Sequence, residues 1–313
     1  MKWHWALLAL VVGLTPPVRA EPLESKRVAA EARWVVHIDV DALRTGEIPR
    51  AVARLWSQLP AAAEHRKNLR QLEVVLGVDP VDDLHDITIY GERFDAGGAV
   101  VLLQVDIDRE VLAKFLTWQP GYQPDSHGDH ELFRWTENRG KRDEHTMTGC
   151  LHPTKGLVLG RDAEQVKKAL DVLDGRSPPL AADSPLAQSP VPAGTMVQAR
   201  AVGLAEVDLP FKSPLVRKSR VFVVAAGEHD GRAFALARAS TESAETAVQL
   251  QSVVDGFLAM AELQFDADAQ VTQLLEAVEV STNDQTVAVE VAGPIGEVLT
   301  LIEKAWKKRF GAE

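Results

Sequence analysis

Apolar residues along this chain recur in two periods, and the switch from one to the other lays out the elements. Over residues 33–40 (RWVVHIDV) apolar and polar positions alternate. Trp34, Val36, Ile38 and Val40 fall on one side and His37, Asp39 and Asp41 on the other, the period of a strand. The same pattern predicts strands over 86–91 and 99–106, near 132–136, 145–151 and 156–160, then over 195–202, 220–226, 232–239, 276–281 and 286–291. Helical spacing replaces it elsewhere. Val166, Ala169, Leu170 and Leu173 fall at i, i+3, i+4 and i+7, and Ala247, Leu250, Val254, Phe257, Leu258 and Ala261 form a longer stripe. Val298, Leu301, Ile302 and Ala305 repeat it, and further helices are expected over 49–76, broken near Pro60, and over 108–118.

The ends of these segments carry matching chemistry. Asp108, Asp162 and Thr241 stand where a side chain accepts from the first free backbone N–H groups of a helix. Lys304, Lys307, Lys308 and Arg309 gather in the last turns of the final helix, where they complement its dipole. Asp230-Gly231 and Asn283-Asp284 read as hairpin turns. Between 174 and 192 (DGRSPPLAADSPLAQSPVP) five prolines rule out a long helix or a central strand, so this stretch reads as a linker.

The expected organisation is a leader over 1–20, a first half over 21–173, the Pro-rich linker over 174–192 and a second half over 193–313. Each half reads strand, hairpin, helix, hairpin, helix. Hairpins require antiparallel neighbours, so the fold class is α+β: two similar halves arising by internal duplication, each an antiparallel sheet covered on one face by helices.

The leader sets the compartment. Lys2, the apolar run over 6–14, Pro16 and Pro17, and Val18-Arg19-Ala20 form a secretory signal with cleavage before Glu21. The run is well short of the roughly 20 residues a membrane helix needs, and nothing later in the chain reaches that length, so no membrane span is expected after cleavage. The protein is expected to be secreted or periplasmic. Its net charge is −11, and the leader holds Lys2, Arg19 and no acid, so the remainder is two charges more negative, −13. An acidic surface repels phosphate backbones, which excludes nucleic acid as a natural partner and weakens adhesion to anionic lipid. Cys150 is the one cysteine, so no intramolecular disulfide forms, and it reads as a small core residue.

The segments GLVLGRDAEQVKKALDVLDG (156–175) and DGRAFALARASTESAETAVQLQSVVDG (230–256), together with the leader and the repeated order, resemble uncharacterised secreted α+β proteins of planctomycete-type bacteria. The resemblance implies compartment and fold, and no activity.

Three groups of residues are candidates for chemistry. Residues 125–131 (DSHGDHE) pack ligand-type side chains into one short span, and His127, Asp129 and His130, with Asp125 or Glu131, are the metal-binding candidates. His130 does not open an H-E-x-x-H motif, because Arg134 stands where the second His is needed. The bland alternative for this span is a solvated loop. His37, Asp39 and Asp41 share a strand face, which reads as the polar side of a half-buried sheet. Aromatics concentrate over 115–135, and Tyr122, Phe133 and Trp135 are the candidates for gripping a partner, against the alternative of a local core.

The sequence holds no G-x-S-x-G elbow, Walker loop, G-x-G-x-x-G or C-x-x-C. The expected function is therefore a non-catalytic binding or scaffold protein, with a protein or saccharide partner in the cell envelope and no cofactor. The rival expectation is a metal-assisted hydrolase built on residues 125–131.

Overall fold

The computed structural model describes residues 23–79, 81–138, 144–204, 218–265 and 269–310; the leader expected over 1–20 lies outside them. The described chain divides into two compact units at Ala182–Asp183, inside the Pro-rich stretch.

The first unit opens with a 3₁₀ turn, Ser25–Arg27, and strand β1, Trp34–Asp39. Three helices follow, α1 (Val40–Thr45), α2 (Glu47–Ser57) and α3 (Pro60–Leu76). Pro60 sits at the start of α3, where its missing N–H costs nothing, which explains the break that the sequence places there. Strands β2 (Leu84–Gly91) and β3 (Ala99–Val105) lead to α4 (Arg109–Thr117). Four strands come next, β4 (Gln123–His127), β5 (His130–Asn138), β6 (Glu144–His152) and β7 (Gly156–Gly160), and α5 (Ala163–Leu173) closes the unit. Asp108 and Asp162 cap α4 and α5 through Glu110 N–H at 2.7 Å and Glu164 N–H at 3.0 Å.

The strands of this unit lie in the order β1-β2-β3-β7-β6-β5-β4, every neighbouring pair antiparallel. Both faces of this sheet are covered, a correction to the one-faced expectation. On the first, Val166, Ala169 and Leu170 of α5 are fully buried over β7, β6 and β3. On the second, Val40 of α1 packs with Ile87, and Leu112 and Leu116 of α4 pack with Phe133 and Leu151.

The second unit contains β8 (Thr195–Val202), β9 (Val221–His229), β10 (Arg232–Ser240), α6 (Ala244–Phe265), α7 (Ala269–Glu276), β11 (Val278–Asn283), β12 (Thr286–Pro294) and α8 (Ile295–Phe310). Its strands lie in the order β8-β9-β10-β12-β11, again antiparallel throughout. The β9–β10 turn holds Asp230 at φ 48 and Gly231 at φ 73, the left-handed pair that a two-residue hairpin demands. Ala247 and Leu250 of α6 bury against Val287 of β12. Leu186, buried, and Val191 lie in the Pro-rich stretch. Val191 covers the opposite face at Ala225 and Leu236, while Arg200 donates to Leu186 O at 2.7 Å and Arg238 to Pro190 O at 3.0 Å. In the first unit, the N–H of buried Leu180 donates to Val28 O at 2.7 Å. The stretch read as a linker is thus packed chain that lacks regular structure. No helix among the described residues is long and apolar enough to cross a membrane.

Candidate functional site

Residues 125–131 form an edge hairpin and not a solvated loop. Gly128, at φ 59, opens the two-residue turn between β4 and β5, and His127 faces His130 across the pair. Their rings reach two different carboxylates. His127 Nε2 donates to Asp171 at 2.8 Å and His130 Nε2 to Asp174 at 2.7 Å. Asp171 lies in the last turn of α5 and Asp174 is its C-cap, so the hairpin is pinned to the end of that helix at two points. His152 of β6 joins from the neighbouring strand. Its Nε2 donates to Asp174 at 3.1 Å, and its ring centre lies 5.1 Å from that of His130. Arg176 closes the cluster, within 2.8 Å of Asp171 and 2.7 Å of Asp174.

The predicted set His127, Asp129 and His130 does not converge. Asp129 is exposed in the turn, and the two histidines serve separate carboxylates. The structure substitutes a different trio, His130, His152 and Asp174, with donor atoms within 4.8 Å of one another. The proton inventory of this trio matters. His152 Nδ1 accepts from Thr154 N–H at 3.2 Å, so the ring carries its proton on Nε2 and donates it to Asp174. A metal at Nε2 would need that proton moved to Nδ1, where it would face the Thr154 N–H. Arg176 already supplies a cation to Asp174. Burial alone would raise the pKa of Asp174, but hydrogen bonds from His130 and His152 and the charge of Arg176 outweigh it and hold the carboxyl below the ordinary range. Asp171 is lowered likewise, its burial outweighed by His127 and Arg176.

The other predicted groups are structural. Phe133 is fully buried in the core beneath α4, with Tyr122 and Trp135 packed partly buried against it, so the three present a core and not a stacking platform. His37 and Asp39 lie inside, beneath 5% exposed, so the side read as the polar side of a half-buried sheet is itself covered here. His37 Nδ1 meets Thr88 Oγ1 at 2.9 Å, and Asp39 caps α1 through Ala42 N–H at 2.7 Å. Asp41 belongs to α1, where it pairs with Arg44 and with His85. Cys150 is fully buried, and burial pushes its thiol up to about 11, a core residue and not a nucleophile.

The sequence reading missed an apolar surface in the second unit. The ladder places Val224, Ala226, Ala235, Ala237, Val289, Val291 and Val278 on one sheet face, the face that α6 meets at Val287, Val280 and Thr282. Beyond the helix this face is left partly open by the described residues. With Val197 these residues line a groove of about 390 Å³ in which Ala226 and Ala235 are exposed. The backbone groups beneath are paired in the ladder, so the groove offers apolar side chains alone. A second apolar stripe runs along α6, where Phe257, Met260 and Leu263 are 60%, 65% and 80% exposed. The signal was in the sequence: four small apolar residues alternating along β9 and β10, and a helix with apolar residues on two sides.

No family model and no curated protein matches the chain. Among solved structures, TP0453 of Treponema pallidum is similar in two crystal forms. Form III aligns with a TM-score of 0.48 at 10% identity, covering 91% of this chain and 100% of that one. Form I aligns at 0.45 and 9% identity, covering 91% and 98%.

Proposed function

We propose that this is a secreted or periplasmic, non-catalytic binding protein of the cell envelope whose docking surface is the open apolar face of the second unit's sheet. The carrying observation is that groove, lined by valine and alanine with no polar group to direct a reaction. Its ligand is apolar along the buried length. An added peptide strand would bring N–H and C=O groups that this face cannot pair. Supporting the duplication is the shared five-strand order, β1-β2-β3-β7-β6 in one unit and β8-β9-β10-β12-β11 in the other, with β4–β5 as an extra hairpin in the first.

The test is a titration with fluorescent n-alkyl probes of increasing chain length. Each added methylene contributes about 0.8 kcal/mol, so Kd should fall roughly fourfold per carbon. Ala235→Asp should abolish the dependence by placing a carboxylate in the groove. Affinity independent of chain length, or unchanged in Ala235→Asp, contradicts the proposal.

The metal-assisted reading has one observation in its favour, the approach of His130 and His152 on Asp174. Stoichiometric zinc in untagged protein, lost in a His130→Ala, His152→Ala variant, would support it. No uptake on zinc titration would retire it.

A further inference from the structure

The cations of the second unit are unevenly placed. No Lys or Arg occurs between Arg238 and Lys304, a span that holds twelve acids, and then Lys304, Lys307, Lys308 and Arg309 fall within six residues. All four are exposed on the last two turns of α8. The helix meets β12 and β10, and the residue it buries is Ile295 at its start. The apolar side of the helix continues past that contact. Leu299, Ile302, Trp306 and Phe310 follow one another at three- and four-residue spacing, and the Trp306 and Phe310 rings pack at a tilt of 46° with centres 4.6 Å apart. By the same geometry Lys304 and Lys308 project from the side opposite this stripe, Lys307 lies at its flank and Arg309 lies nearer the aromatic side.

Complementing the helix dipole takes one or two cations, not four, and leaves the aromatic pair without a role. A helix with Trp and Phe on one side, lysines opposite and further cations at the flanks suits the boundary between lipid headgroups and acyl chains. The geometry points to the last two turns of α8 as a docking site for a phospholipid surface bearing anionic headgroups. The aromatic pair enters the boundary and the cations meet the headgroup phosphates. The acidic remainder of the unit orients the approach, because it is repelled by the surface that attracts the tip. This site does not depend on the apolar groove, and an acidic soluble protein is the alternative that the test separates.

The experiment is vesicle flotation at low salt with the chain from Glu21 onward, since the apolar run of residues 1–20 would bind lipid by itself. Vesicles of phosphatidylcholine and phosphatidylglycerol in equal parts are compared with phosphatidylcholine alone. The protein should float with the anionic vesicles and not with the neutral ones, and high salt should release it. Lys307→Gln with Lys308→Gln should weaken binding about thirtyfold, at roughly fivefold per cation. Trp306→Ala should weaken it at unchanged salt dependence, and all variants should keep the wild-type melting temperature. Ala235→Asp should leave flotation unchanged, which separates this site from the groove. Equal binding to neutral vesicles would overturn the proposal. So would binding to soluble polyglutamate without flotation, an unaffected double variant, or equal loss on replacing Arg66 and Arg70 of α3, which would move the contact off α8.

Discussion

Five strands of the first unit follow the same order as the five of the second, and the two sheets differ in what covers them. In the first, the helix after the last strand, α5, lies across the sheet with Val166, Ala169 and Leu170 fully buried. In the second, α8 follows the last strand in the same way and buries Ile295 alone. The ends of these helices differ in the same sense. The end of α5 is held by Asp171, Asp174 and Arg176 to three histidines on neighbouring strands. The end of α8 carries four exposed cations and a tilted aromatic pair. A shared order of five strands thus goes with a closed unit where the closing helix is apolar at the sheet and anchored beyond it, and with a more open one where it is not.

The comparison breaks most directly at the closing helices. Leu170→Ala in α5 should cost about 2–5 kcal/mol in denaturant unfolding, because a fully buried side chain leaves a cavity. Leu301→Ala in α8 should cost less than that, since Leu301 is only partly buried. Equal losses would mean that α8 is packed as α5 is. Backbone fit gives the next effect. Gly156 sits at φ 83, and a Cβ there would lie 2.1 Å from Leu103 O, whereas one at Gly293 meets nothing within 4 Å. Gly156→Ala should therefore destabilise by more than ~1 kcal/mol, and Gly293→Ala should be close to neutral.

The anchoring cluster gives a smaller, pH-dependent effect. Asp171 and Asp174 are depressed from 3.8 in the folded state. Their contribution is present above the unfolded value and is lost as pH falls through the lower folded one, so it disappears on the acid side of about pH 4. Asp174→Asn should lower stability at neutral pH by on the order of 1–3 kcal/mol and flatten the acid limb of the stability curve. An unchanged limb would show that the cluster does not anchor α5. Smallest is His85, on β2. Burial would lower its pKa, but hydrogen bonds to Asp106 and Asp41 raise it above 6.5. Its contribution is present below the unfolded pKa and fades as pH rises through the folded one, so His85→Asn should cost less at pH 8 than at pH 6. Because the ring is a third exposed, the whole effect should stay under about 1 kcal/mol in chemical unfolding at the two pH values.

Much of this fold is legible where the signal is local. The Asp230-Gly231 turn, the Asp108 and Asp162 caps and the apolar stripe of α5 each act within one or two turns of chain, and each forms as its residues predict. The failures involve distant partners. His127 and His130 look like a solvated pair until Asp171 and Asp174 arrive from 44 residues away. Asp86 opens a predicted strand with no partner in view, and Arg27, 59 residues earlier, pairs with it at 3.0 Å in the interior. Strand β4 reads QPDSH, without apolar alternation, because an edge strand need bury neither face. The Pro-rich stretch has the composition of a linker and is nevertheless packed, since Leu180 and Leu186 supply apolar anchors between its prolines. The apolar groove escaped for a different reason: valine and alanine alternating along a strand predict burial equally well whether or not a helix arrives to cover them.

The central claim is that the second unit keeps one sheet face open for an apolar ligand. Methyl-resolved NMR of the valine-labelled protein, titrated with an n-alkyl probe, tests it most directly. The account predicts saturable shifts at Val197, Val224, Val278, Val289 and Val291, with Val35, Val100 and Val158 in the closed first unit unmoved. Shifts centred on the first unit, or none at saturating probe, would contradict it.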